Sequence, residues 1–243
     1  MDTDAVVTTI VDRLRAVATP ERAVKEKQYL RSDLEHLGAT MPAIRRVAVG
    51  VGREHPDLTR DELLALTAAS WEAGVHELRV VAVELLVDHP DLLVAEDTAW
   101  LETWCRQART WALIDPLAAQ VIGGLADRHP DALDPVIRRW ATDEDHWVRR
   151  TALLAHLLPL RRGEGDFDRF GELADGMLEE REFFIRKAIG WVLRETGKAR
   201  PERVVAWLEP RVDRAAGLTV REAVKRLPPE DRDRILDAYA ARG

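Results

Sequence analysis

The sequence predicts an all-α protein, an α-solenoid of stacked helix pairs, and three observations carry that prediction. Apolar residues recur at helical spacing almost throughout, no run alternates apolar and polar residues between hairpin turns, and two short motifs return every 34 to 40 residues. The first motif is His-Pro-Asp, at 55–57, 89–91 and 129–131, with Lys198-Ala199-Arg200-Pro201-Glu202 as a weaker version. In each, proline stops one helix and the acidic residue suits the start of the next. The second motif is an apolar residue, an arginine, and an alanine two or three places on. It occurs at Leu78-Arg79…Ala82, Val148-Arg149…Ala152, Ile185-Arg186…Ala188 and Val220-Arg221…Ala223. Units of this length match helix pairs of the HEAT or armadillo kind, and such units bury their cores only against their neighbours. The expectation is about six or seven pairs in a single domain, 1–243, with one concave face.

In chain order, Asp4 to Arg15 carries apolar residues at helical spacing, and Thr19-Pro20-Glu21 closes that element and opens a second. The second helix holds Lys25, Lys27, Tyr29 and Leu30 and is expected to end near Leu37-Gly38, a glycine C-cap signal. A third opens at Met41-Pro42, with the proline in a first-turn position. Arg161-Arg162-Gly163-Glu164-Gly165-Asp166 reads as a flexible surface loop whose two glycines mark a turn and fall far short of a phosphate-binding loop. Between Glu182 and Glu195, Ile185, Ile189 and Val192 form the core-facing stripe of a helix. Phe184, Lys187, Trp191 and Arg194 occupy a second stripe roughly 100° or more round the axis. A core helix has no need of that second stripe, and an indole between two cations suits an anionic partner.

Composition excludes several classes. At 46% hydrophobic and 33% charged residues the chain reads as a soluble folded protein. The net charge of −7 argues against wholesale coating by nucleic acid, while leaving room for a local basic groove. Arginine greatly outnumbers lysine, which reads as genomic bias rather than function. A single cysteine, Cys105, forms no intrachain disulfide and fits a reducing compartment. The acidic start Met1-Asp2-Thr3-Asp4 is unlike a secretory signal, and no uncharged run approaches the roughly 18 apolar residues of a membrane span. A cytoplasmic protein is expected.

The seven histidines show no His-x-x-x-His spacing, and with one cysteine there is no Cys-x-x-Cys, so no metal site is expected. His89 and His129 read as helix-end residues that offset the dipole. Ser32 and Ser70 sit in no nucleophile elbow, and Cys105, one turn from Leu101, reads as a small core residue. Two further stretches are informative. In Arg109 to Leu117, Trp111 and Asp115 share a face if the segment is helical, yet Asp115 before Pro116 also suits an N-cap. In Asp143 to Thr151 the acids read as a helix first turn and Trp147-Val148 as core. Arg149 and Arg150 point about 100° apart, so only one can face a groove.

These residues together resemble one family. Trp111 with Asp115, Trp147-Val148-Arg149-Arg150 and Phe183 through Glu195 are similar to the AlkD-type DNA alkylation repair glycosylases. Tyr29 to Arg46, with Leu37-Gly38 and Pro42-Ala43-Ile44-Arg45-Arg46, extends the resemblance, which covers about residues 20 to 227. It implies a HEAT-like solenoid that holds duplex DNA on its concave face and, without flipping the base, hydrolyses the N-glycosidic bond of cationic N3- or N7-alkylated purines. By position, Asp115 would be the catalytic carboxylate, and Trp111 and Trp191 would flank the lesion's deoxyribose. Arg150 would hold the backbone nearby, Tyr29 would touch the same region, and Arg45, Arg149, Lys187 and Arg194 complete the expected DNA-contacting set. The family often has two adjacent tryptophans followed by Asp where this chain reads Thr110-Trp111-Ala112, which leaves substrate range, including bulky adducts, open.

The residue types suit that chemistry. A cationic purine leaves without protonation, so the catalyst need only stabilise the oxocarbenium sugar and align water, which a carboxylate between indole faces can do. A monomer needing no cofactor is expected. The rival reading is a non-catalytic HEAT-repeat scaffold binding protein or DNA, since fold alone does not imply function.

Overall fold

The computed structural model describes residues 1–242. Its helices are α1 (Thr3–Arg15), α2 (Pro20–Leu30), α3 (Met41–Glu54), α4 (Arg60–Glu72), α5 (His76–Asp88), α6 (Thr98–Ala108), α7 (Trp111–Pro116) and α8 (Gly123–Arg128). They continue with α9 (Pro130–Trp140), α10 (His146–Leu154), α11 (Leu157–Arg161), α12 (Phe167–Gly176), α13 (Phe183–Thr196), α14 (Pro201–Leu208), α15 (Gly217–Ala223) and α16 (Pro229–Ala241). Among the described residues there is no strand, only one isolated bridge between Glu35 and Val75. The all-α expectation holds. No helix among them is long and apolar enough to cross a membrane.

The repeated His-Pro step works as its chemistry dictates. His55, His89 and His129 follow the last turns of α3, α5 and α8 with φ,ψ of −126,66, −123,54 and −131,57. Arg200, in the weaker version, has −136,60 before α14. A residue before proline is pushed out of the α region, so all four reset the chain in one way. The Nδ1–H of His89 also donates to the Leu85 carbonyl at 2.9 Å, satisfying an end of α5.

The chain forms two compact units, Met1–Asp97 with Ala108–Leu117, and Thr98–Gln107 with the residues from Ala118 on. In the first, α5 packs against α3 and α4, and α4 against α1. Ile10, Leu14, Leu63, Leu66, Leu78 and Leu85 are fully buried there. Each contributes about 1.5–3 kcal/mol relative to exposure. The second helix ends eight residues before the expected glycine, at Leu30, because Arg31 takes the left-handed cap (φ 49). Gly38 has a different task. At φ +92 it lies so close to α2 that a Cβ would come within 2.1 Å of the Thr19 carbonyl oxygen and 2.7 Å of the Ala23 nitrogen. The buried carboxylate of Glu77 holds this loop by accepting the backbone N–H groups of Leu37, Gly38 and Ala39.

The second unit is built on α13, which packs against α10, α11 and α15. Ile185, Ile189 and Val192, the expected core stripe, are fully buried. Gly190 is the point of closest approach to α15: a Cβ there would lie 2.6 Å from Glu222 Cβ and 2.9 Å from the Thr219 carbonyl oxygen. The loop at 161–166 turns through Gly163 and Gly165, both at positive φ, and is pinned rather than loose. Arg162 pairs with Asp127 and Glu164, while Arg200 donates to the carbonyls of Glu164 and Gly165.

The arginine excess has a structural use beyond bias. In this unit Arg106–Asp143, Arg138–Glu172, Arg162–Asp127 and Arg203–Asp168 pair across 34 to 37 residues, one repeat apart. The arginine of the second motif bonds backward: Arg79 to the Trp71 carbonyl, Arg149 to that of Asp143, and Arg186 to that of Glu180. Each ties a helix start to the segment before it. Cys105 is buried as expected, and burial pushes its thiol up to about 12, which leaves it inert.

Candidate functional site

In the first unit, Arg109 in the left-handed region (φ 47) ends α6, and Thr110 starts α7 by accepting the Ala112 N–H. The cap is therefore Thr110, not Asp115. Threonine offers an accepting oxygen on an extended residue, whereas Asp115 lies a turn inside the helix. Trp111 thus becomes the first helical residue and is 37% exposed. Asp115, four residues on, lies on the same face and is half-buried. Pro116 stays within α7, leaving the Ala112 carbonyl without its usual donor, and the following residues, Leu117–Ile122, widen into a π-helical turn.

Tyr29, in the last turn of α2, is 74% exposed and meets Trp111 edge-on, with ring centroids 6.2 Å apart and planes at 87°. The structure therefore brings Tyr29 to Trp111 in one exposed aromatic patch. Arg45, on α3, is instead engaged with Glu84 at 3.1 Å.

In the second unit, α10 starts at an Asp145 cap and buries Trp147 and Val148 as expected. Neither adjacent arginine is a solvated surface residue. Arg149 bonds both oxygens of Glu180 at 3.0 and 2.8 Å, and the carbonyls of Asp143 and Glu144. Arg150 is 2% exposed, donates to the Phe184 carbonyl, and lies 5.7 Å from the Phe184 ring centroid. The pair thus divides its labour differently from a groove-facing residue beside a solvated one: Arg149 clamps a loop, and Arg150 is sunk against α13.

Trp191 sits half-buried on α13 between Lys187 one turn before and Arg194 one turn after. Both cations reach one carboxylate, which sequence reasoning missed. Glu222 accepts Lys187 at 2.7 Å and Lys225 at 2.6 Å, and also Arg194. Burial pushes this carboxyl up, but Lys187 and Lys225 outweigh it and hold it at about 2. Glu195 gathers Arg161, Arg194 and Lys198 in the same manner. Five cations therefore surround two buried carboxylates, and the two that flank Trp191 on α13, Lys187 and Arg194, are held in place by them. The missed signal was spacing: Glu222 lies 35 residues from Lys187, one repeat length.

An all-α helical-repeat protein with an exposed indole one turn from a carboxylate, and a second indole flanked by clamped cations, is the class that fold and site define. The chain belongs to the DNA alkylation repair enzyme family, whose model matches residues 10–227. Its fold is shared by a predicted DNA alkylation repair enzyme from Enterococcus faecalis, 24% identical, covering 87% of this chain and 97% of that one with a TM-score of 0.78. AlkD2 from Streptococcus mutans is 14% identical over 90% of this chain and 97% of its own, with a TM-score of 0.55. A further structure, smu.31 from Streptococcus mutans UA159, gives 13% identity, 90% and 96% coverage and a TM-score of 0.54. No curated protein matches the chain.

Proposed function

We propose that this protein is a monomeric, cytoplasmic DNA glycosylase that releases cationic N3- or N7-alkylated purines from duplex DNA without base flipping. The observation that carries this reading is Trp111 standing exposed one helical turn from Asp115, with Tyr29 packed on the indole. The family match runs through both units, which supports reading residues 1–243 as one functional domain.

In this reading the C1′–N bond breaks first, and its electron pair neutralises the charged purine, which departs without a proton from the enzyme. Positive charge passes to the sugar. Asp115 opposes that charge, orients a water whose oxygen bonds C1′, and takes up the proton that water loses. The faces of Trp111 and Trp191 favour the cationic sugar, each by about 1–2 kcal/mol when desolvated. Lys187, Arg194 and Arg45 hold phosphates and Tyr29 stands near the lesion, while Arg150, 2% exposed and donating to the Phe184 carbonyl, acts through α13. Contacts of this kind position DNA without reading its sequence. Arg149 is left to the fold, its donors being used within it. The step requires no metal or organic cofactor.

The test is release of 7-methylguanine from methylated duplex DNA. Wild-type protein should release it, and Asp115→Asn should slow release by about 10²-fold or more with DNA affinity retained. DNA binding without release by the wild type would leave the non-catalytic scaffold, and undiminished release by the variant would remove Asp115 from the mechanism.

A further inference from the structure

A second cluster of chemistry-bearing groups lies within the first unit, apart from Trp111 and Asp115. It draws Glu26 from α2, His36 from the segment between α2 and α3, and Glu77 from the first turn of α5. One carboxylate oxygen of each acid and one ring nitrogen of His36 all lie within 4.8 Å of one another. The three groups do not hydrogen-bond each other. His36 is only 9% exposed, and neither of its ring nitrogens has a hydrogen-bond partner. A buried imidazole with both nitrogens unsatisfied, facing two carboxylates across a short gap, is an arrangement that a cation would complete.

The surroundings fit a ligand set held in advance. The Leu37, Gly38 and Ala39 amides anchor the fully buried Glu77, leaving it lone pairs to offer. His36 stacks on His76, with centroids 4.5 Å apart and planes at 8°, which fixes the plane of the ring. Glu26 is steadied by Arg22 at 3.1 Å. Outer contacts that orient metal ligands act in this way.

We propose that Glu26, His36 and Glu77 bind one first-row divalent transition-metal ion, Zn²⁺ above all, with water completing its shell. One imidazole with two carboxylates suits zinc better than magnesium, which prefers an all-oxygen shell. Metal–ligand bonds of about 2.0–2.2 Å require the donors to draw together, and Glu26, the most exposed of the three, would leave its contact with Arg22 to close on the ion. The bound ion would join α2 to α5 three residues before Tyr29, stiffening the helix that presents that ring to Trp111. Ligand spacings of ten and 41 residues explain why no short metal motif marks the site.

The experiment is calorimetric titration of the chelator-treated full-length protein with ZnCl₂, beside MgCl₂, together with thermal unfolding. The expected result is saturable one-to-one zinc binding, a rise in Tm with zinc, and neither effect with magnesium. His36→Phe keeps an aromatic ring against His76, and Glu26→Gln is a substitution near the surface; each should weaken zinc binding by about tenfold or more while unfolding as cooperatively as the wild type. Absence of saturable binding by the wild type, or binding that persists unchanged in both variants as adventitious surface chelation, overturns the proposal.

Discussion

Tyr29 stands edge-on to Trp111 at 6.2 Å, the two exposed rings joining the last turn of α2 to the first residue of α7. An edge-to-face pair is worth about 0.5–1.5 kcal/mol beyond its buried area, and exposure places this one at the lower end. A double-mutant cycle of Tyr29→Ala and Trp111→Ala should therefore give about 0.5 kcal/mol of coupling in unfolding free energy. Tyr29→Phe, which keeps the ring, should leave 7-methylguanine release within about twofold, whereas Tyr29→Ala should lower kcat/KM by about fivefold. Additive effects on stability would mean that the rings touch without supporting each other.

Gly190→Ala should damage both fold and activity. The added methyl would meet Glu222 Cβ and the Thr219 carbonyl, and neither can yield as a flexible side-chain tip would. Forcing α13 and α15 apart should cost about 2–3 kcal/mol in chemical denaturation. The same shift would move Trp191 relative to its clamped cations, so release should fall further than the stability loss alone explains.

His156 makes folding acid-sensitive. Its buried Nε2 has no hydrogen-bond partner, and burial holds the ring at about 4 against an ordinary value of 6.5. The unfolded chain thus binds this proton more readily than the folded one. Stability should be full above pH 6.5 and fall between 6.5 and about 4, by up to about 1.4 kcal/mol per pH unit from this group. His156→Leu should flatten that part of the profile, as followed by denaturant unfolding at a series of pH values.

Glu222 acts at lower pH and in the same direction. Its carboxyl, at about 2 instead of 4.5, gives stability present above pH 4.5 and lost as pH falls toward 2. Glu222→Gln should cost about 2 kcal/mol at neutral pH and flatten that lower limb. Arg149→Gln should also destabilise, by about 1–2 kcal/mol, while leaving the salt dependence of DNA binding unchanged. Lys187→Gln should lower the slope of log affinity against log salt by somewhat less than one, because Glu222 already shares its charge.

Much of the fold was legible because the repeat writes it in short-range chemistry. Three His-Pro steps and Arg200-Pro201 give one backbone geometry four times, and the Ile185–Ile189–Val192 stripe is buried as spaced. Where reasoning from neighbours failed, a distant or competing partner decided. The glycine signal at Gly38 reported close approach to Thr19 rather than the end of α2, and Arg31 took a left-handed cap that arginine seldom adopts. At α7, two residues could cap and Thr110 prevailed, which left Asp115 inside the helix. The aromatic and basic residues of the site could be named from the sequence, but the acids that arrange them could not. Glu77, Glu195 and Glu222 look like ordinary surface charges until stacking brings their partners in from other helices.

The ion pairs that reach one repeat ahead carry a consequence for handling the protein. Salt weakens partly exposed pairs as well as phosphate contacts, so raising ionic strength loosens the stitching between neighbouring helix pairs while it strips off a polyanion. Fraying would then spread from an end in steps of about 35 residues, each rung releasing the next.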